Sequence, residues 1–284
     1  MSAIVSGNLD RQTVEDFGAE WSTFDQSKLS DAELGLQFDG YFGIFPWAAL
    51  PSGAVGFDAG CGSGRWAARV AARVGRLHCV DASREAIAVV RRNLVSSSNC
   101  IVELASIDAL PFPDGSMDFG YSLGVLHHLP HPEEGLRRCV VKLKPGAPFL
   151  VYLYYALDNR PAWYRAVWRV AEAGRRAVCR LPFRAKLIIT TLVAAGIYLP
   201  LARTARFAED RDVDPGLIPL AAYRHRSFYS MRTDALDRFG TRVEHRFSRE
   251  EIAAMMARAG LGELVFSDEP PFWCAVGRRV SDLC

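Results

Sequence analysis

Between Val55 and Ala67 the chain reads Val-Gly-Phe-Asp-Ala-Gly-Cys-Gly-Ser-Gly-Arg-Trp-Ala. A short apolar run ends in Asp58, and Gly60, Gly62 and Gly64 follow at every second position. Glycines in that pattern let the backbone turn sharply and approach a ligand closely, as in nucleotide-binding crevices. A dinucleotide site of the hydride-transfer kind calls for Gly-x-Gly-x-x-Gly, and Arg65 stands where its third glycine should be. Asp81 closes a second apolar run, Arg76–Asp81, 21 residues beyond Gly60. A carboxylate there can accept both hydrogen bonds of a ribose diol. A third run, Cys100–Ser106, delivers Asp108, then Ala109 and Leu110.

An acid ahead of Gly-x-Gly-x-Gly resembles motif I of the class I S-adenosylmethionine-dependent methyltransferases. The family's other elements follow in order over residues 53–155. Asp114–Phe119 reads as a turn and the start of a strand. Ser122-Leu123-Gly124-Val125-Leu126-His127-His128 is similar to the motif II region, and Leu143-Lys144-Pro145-Gly146 to the turn before the fifth strand, Pro148–Tyr154. The resemblance is to the small-molecule, ubiquinone-methylase-like members. It implies S-adenosyl-L-methionine as cofactor, with Asp58, Gly60, Gly62, Gly64, Asp81, Asp108, Ala109 and Gly124 around it. In that pattern the acid at Asp108 accepts from the adenine amino group and its apolar neighbour covers the ring.

Such residues need a scaffold. Short apolar runs alternate with helical patterns, clearest in Arg84–Leu94 and Glu133–Leu143, which argues for a parallel sheet with helices on both faces. Ser248-Arg249-Glu250-Glu251 has the form of a capping box opening a helix that ends at Gly260. Glu263–Ser267 and Phe272–Gly277, joined by a short Pro-containing loop, read as an antiparallel pair. The expected fold is α/β: a doubly wound, mostly parallel seven-stranded sheet with an antiparallel last strand and a helical insertion. Residues 1–52 are an N-terminal arm, 53–156 with 247–284 the core, and 157–246 the insertion.

The arm segment Asp16–Phe24 resembles the Phe-Gly-x-x-Trp-x-x-Phe element that precedes the core in related enzymes. The resemblance implies that Trp21 and Phe24 touch cofactor or acceptor; the plainer role is to staple a helix to the sheet. Ser227–Phe247 is similar to the family's segment before the last helix. On that basis Tyr229, Arg232, Asp237 and His245 are candidates to line the acceptor site, against an ion-pair network as the alternative. His127, His128 and His245 are the candidate general bases, since imidazole titrates near neutrality. The acceptor atom, oxygen, nitrogen or carbon, is left open. His127, His128 and His131 suggest no metal, because Pro130 and Pro132 prevent helical alignment and no acid or cysteine completes a ligand set.

The insertion departs from the family. Residues 160–206 hold ten basic side chains and one acid, Glu172, so this stretch is +9 in a chain of net +2. Within it Leu187–Ala202 is a 16-residue apolar run. Three roles compete: a membrane span, for which the run is short; a peripheral, interfacial segment on anionic lipid; and a lid or homodimer surface. Seven cysteines without paired spacing, at 61, 79, 100, 139, 179, 274 and 284, fit reduced thiols in a cytoplasmic protein. Met1–Leu9 lacks the charge-then-apolar pattern of a signal peptide. The expected activity is methyl transfer to a small-molecule acceptor, with an apolar or lipid-like one among the options. The alternatives are a nucleic-acid methyltransferase, disfavoured because the basic stretch surrounds an apolar run, and a scaffold that has lost turnover.

Overall fold

Short β-rich runs form a seven-stranded sheet: β1 (Val55–Ala59), β2 (Arg76–Asp81), β3 (Cys100–Leu104), β4 (Phe119–Leu123), β5 (Pro148–Tyr152), β6 (Leu261–Phe266) and β7 (Cys274–Arg279). The structure, a computed structural model, describes residues 7–280. The ends, including Cys284 and most of Met1–Leu9, lie outside the described residues. The strand order is β3-β2-β1-β4-β5-β7-β6, with β7 antiparallel to both neighbours and the other pairs parallel. This is the doubly wound sheet with an antiparallel last strand that the sequence implies. The order reverses beside β1, which opens a crevice at the carboxyl ends of β1 and β4.

Strands β1, β4 and β5 are buried almost throughout, as parallel strands covered on both faces must be. In chain order the helices are α1 (Arg11–Thr23), α2 (Asp31–Phe42), α3 (Ala67–Ala71), α4 (Arg84–Asn93), α5 (Pro132–Val140), α6 (Ala162–Val178), α7 (Phe183–Val193), α8 (Leu199–Glu209), α9 (Phe228–Gly240) and α10 (Arg249–Arg258). Phe57, Leu126, Leu136, Val151, Ile252 and Met256 share one buried cluster, so α5 and α10 are fixed to the sheet by their apolar faces. Ser248 caps α10 with both capping-box bonds made.

Some boundaries differ from the sequence reading. β3 stops at Leu104 because Ser106 opens a tight turn, Ile107–Ala109, that carries Asp108. β7 begins at Cys274 rather than Phe272, after Pro270 and Pro271, which have no N–H for a ladder.

The chain divides into two compact units. One holds residues 7–25, 37–158 and 243–280 of the described chain; the other holds 26–36 and 159–242. In the second unit α7, a short π segment (Ala194–Tyr198) and α8 run together as a 27-residue helix, Phe183–Glu209. This helix is longer than the 16-residue apolar run and is long and apolar enough to cross a membrane, so shortness is no argument against a span. Its inner face does pack within the unit: Ala194, Tyr198 and Ala202 share a buried cluster with Met231 and Ala235 of α9. Segment 26–36 is tied to α9 by Glu33, whose carboxylate accepts from the Ser227 N–H at 3.0 Å.

Candidate active site

After β1 the backbone turns through Gly60 (φ +85°) and Gly62 (φ +54°), a region that penalises any side chain. The N–H groups of Gly60 and Cys61 both donate to the Val80 carbonyl, at 2.8 and 3.0 Å, which fixes the loop against the end of β2. Asp81 then reaches into the turn. One carboxylate oxygen accepts from the Gly62 N–H and the other from the Ser83 N–H, each at 2.9 Å. Burial pushes the Asp81 pKa up, while these backbone bonds oppose it. The indole of Trp21 lies over the loop; a β-carbon on Gly62 would sit 2.9 Å from its ring.

These residues line a cleft of about 980 Å³, counting its open mouth. The sequence-predicted residues that meet there are Gly60, Gly62, Asp81, Asp108, Gly124, His128 and Trp21. Phe17 forms another wall and meets His128 edge-on, with ring centroids 4.9 Å apart. Asp10, Thr13, Ser83 and Ser106 add polar groups that the sequence reading did not single out. For Asp10 and Ser83 a signal was available, since each caps a helix. Asn8 exchanges two hydrogen bonds with the His131 backbone, donating at 3.0 Å and accepting at 2.7 Å, so the arm is latched to the loop after β4.

Other predicted residues lie off the cleft wall. Asp58 is buried in β1, in register with Tyr121 of β4. Desolvation pushes its pKa up to about 8. Gly64 faces Val90 of α4, and Ala109, the last residue of the tight turn, is exposed. Phe24 is buried in the core. His127 is fully buried, its ring stacked on Tyr154 at 3.9 Å. Burial first, then His128, Arg246 and His245, push its pKa well below the usual imidazole value, and neither ring nitrogen has a hydrogen-bond partner among the described residues. His245 donates its backbone N–H to the His127 carbonyl at 2.9 Å and sets its ring against Phe247. Tyr229, Arg232 and Asp237 belong to the second unit. There Tyr229 accepts from the Gln26 N–H at 2.9 Å, Arg232 donates to Thr191 at 3.3 Å, and the Asp237 carbonyl accepts from the Thr241 hydroxyl at 2.6 Å.

Of the three histidines named as bases, His128 alone is on the cleft wall. Its Nδ1 lies 2.7 Å from the Val243 carbonyl oxygen. A carbonyl only accepts, so Nδ1 carries the proton and the neutral ring keeps its lone pair on Nε2.

Residues 57–151 match the family model described as a methyltransferase domain. They span the glycine turn, Asp81, Asp108 and the β4 loop, the elements that build the cleft. The core has the strand order of the class I methyltransferase fold. Among solved structures, an S-adenosylmethionine-dependent methyltransferase from Methanosarcina mazei aligns with TM-score 0.51 at 13% identity, covering 84% of this chain and 99% of that one. A chain from the complex of the Haloferax volcanii Trm112 methyltransferase activator aligns with TM-score 0.51 at 16% identity, covering 93% and 97%. At these identities the likeness is one of fold. A curated relative, an uncharacterised 37.1 kDa protein of a Streptomyces fradiae transposon, is 34% identical over 97 residues. That match spans 33% of this chain and 28% of the relative. Within the methyltransferase domain Arg65 lines the cleft and places its guanidinium 4.4 Å from the centroid of Trp66.

Proposed function

We propose that the chain is an S-adenosylmethionine-dependent methyltransferase acting on a small-molecule acceptor. The observation that carries this reading is the Asp81 carboxylate at the glycine turn. Each of its oxygens takes one backbone N–H, which leaves a lone pair on each for the two hydroxyls of a ribose. Asp108 on its tight turn suits the adenine amino group, and Gly60 and Gly62 leave the backbone open to close approach. Trp21 and Phe17 offer aromatic surfaces, which attract a cationic sulfonium. When bound, the cofactor supplies a methyl group made electrophilic by its sulfonium.

The protein's share of the work is then positioning, exclusion of water and proton handling. His128 suits the last of these: with Nδ1 committed to Val243, Nε2, itself buried, is the ring's remaining basic atom for the proton of a hydroxyl or amine acceptor. A carboxylate acceptor needs no base. A small molecule is favoured over nucleic acid because the basic stretch of the second unit surrounds a 16-residue apolar run, Leu187–Ala202. The test is incubation of methyl-labelled S-adenosylmethionine with pools of hydroxylated, amine and lipid-like acceptors. Label in a low-mass organic product supports the reading. Label found in RNA or DNA alone, or in no product of any pool, contradicts it.

A further inference from the structure

The second unit leaves two apolar stripes uncovered. On α6 the exposed positions Trp163, Val167, Val170, Gly174 and Ala177 recur at alternating spacings of four and three, and Leu181 extends the series just past the helix end. That spacing draws one continuous line along a helix. Val170, mid-helix, is 75% exposed. The helix Phe183–Glu209 shows the same on its outer side: Ile188, Leu192, Ala195, Gly196, Ile197 and Pro200 are all exposed, Leu192 by 66%. Only 28% of this helix's most apolar 18-residue window is buried. Scattered exposed apolar side chains are ordinary; ordered stripes on two helices of one unit mark an interaction surface.

Charge selects the partner. Arg184 precedes the stripe on the long helix, and Arg203 and Arg206 follow it; Arg169 and Arg180 flank the stripe on α6. All five are exposed and make no ion pair among the described residues. The stretch 160–206 carries +9 formally, and its single acid, Glu172, is held by Arg175 and Arg176. A second copy docked through this face would set two such stretches against each other. An anionic bilayer surface instead offers acyl chains for the stripes and phosphates for the guanidinium groups, which reach outward on their aliphatic stems.

We infer that the exposed faces of α6 and of Phe183–Glu209 form a peripheral docking surface for anionic lipid bilayers. The long helix lies on the membrane rather than crossing it. Its other side is committed to the protein: Lys186, Thr190, Ala194, Tyr198, Ala202 and Ala205 are buried, and Ala194, Tyr198 and Ala202 share a cluster with Met231 and Ala235 of α9. Crossing a bilayer would strip that packing. Docking does not depend on the methyl-transfer reading, and its readout is independent of activity.

The experiment is co-sedimentation of the full chain with vesicles of phosphatidylcholine alone and of phosphatidylcholine mixed with phosphatidylglycerol, over a range of salt. The expected result is binding to the mixed vesicles that weakens as salt rises. Replacing Arg184 and Arg203 together with Gln lowers partitioning by roughly 30-fold, at about fivefold per surface cation. Leu192→Gln weakens it at every salt concentration. Circular dichroism of each variant shows that it is folded. No binding to mixed vesicles at low salt overturns the proposal. So does binding that the folded arginine variant leaves unchanged, a dimer in solution that Leu192→Gln dissociates, or membrane-bound protein that only detergent extracts.

Discussion

The Nδ1 of His128 lies 2.7 Å from the carbonyl oxygen of Val243, which pins the ring on the cleft wall with Nε2 as its basic atom. Val243 precedes α10, so the chain's last third orients a side chain delivered by the loop after β4. A sequence places these two residues 115 positions apart and gives no sign of their meeting.

If His128 takes the acceptor's proton, His128→Ala lowers kcat by roughly 10²–10⁴-fold, as for a lost general base. Cofactor affinity changes little. His245→Ala, off the cleft wall, is expected to leave activity per folded molecule close to wild type while lowering the melting temperature. Equal kcat in His128→Ala and wild type removes the base from the mechanism.

Asp58 gives stability an unusual pH slope. Its folded pKa is about 8, above the ordinary carboxylate value, so the folded chain holds a proton that the unfolded chain releases. Its contribution is complete below the unfolded pKa, near 4, declines as pH rises and levels off above about 8. Asp58→Asn mimics the protonated form. The variant is expected to melt higher than wild type at pH 8, with the gap closing toward pH 4. Parallel melting curves for the two proteins across that range count against a raised pKa.

His127 acts in the opposite sense. It is buried neutral, so below the ordinary imidazole pKa the unfolded chain takes up a proton that the folded chain refuses. Stability from this site falls as pH drops below about 6.5. His127→Phe retains a ring to stack on Tyr154 and removes two buried nitrogens without partners. Urea unfolding at pH 5 and pH 7.5 is expected to show the variant's advantage growing at the lower pH. An advantage that shrinks there means His127 is protonated in the folded protein.

The capping box at α10 offers a purely structural check. Ser248→Ala removes the side-chain acceptor for the Glu251 N–H and is expected to cost about 1 kcal/mol of stability. Specific activity is unaffected. Urea midpoints compare the two; no change in midpoint means the cap contributes nothing here.

The glycine-turn side of the cleft was legible in the sequence because local constraints repeat along the chain. Gly60 and Gly62 need left-handed backbone, Asp81 ends a strand, and Asp108 sits on a turn after the next. Spacing along the chain thus reports position in space. Asp58 carries the same motif signature but faces Tyr121, and a sequence does not tell which side of a strand end a carboxylate takes. The histidine side was less legible. His127 and His128 are adjacent, and only the short turn after β4 decides that one is buried against Tyr154 and the other reaches the cleft. Asn8 and Phe17 were missed because what defines them is contact with His131 and His128, more than a hundred residues away. The insertion's apolar run understated its helix, since flanking arginines end a hydropathy window without ending a helix.

The central claim is that Asp81 and the glycine turn form a nucleoside site for S-adenosylmethionine. Calorimetric titration of wild type and Asp81→Ala with S-adenosylmethionine, its demethylated product and NADH tests it most directly. The account predicts that wild type binds the first two and not NADH. It also predicts that Asp81→Ala, shown folded by circular dichroism, binds both more weakly by at least about tenfold, since a buried ribose diol loses charged acceptors. Unchanged affinity in folded Asp81→Ala, or tight binding of NADH by wild type, contradicts it.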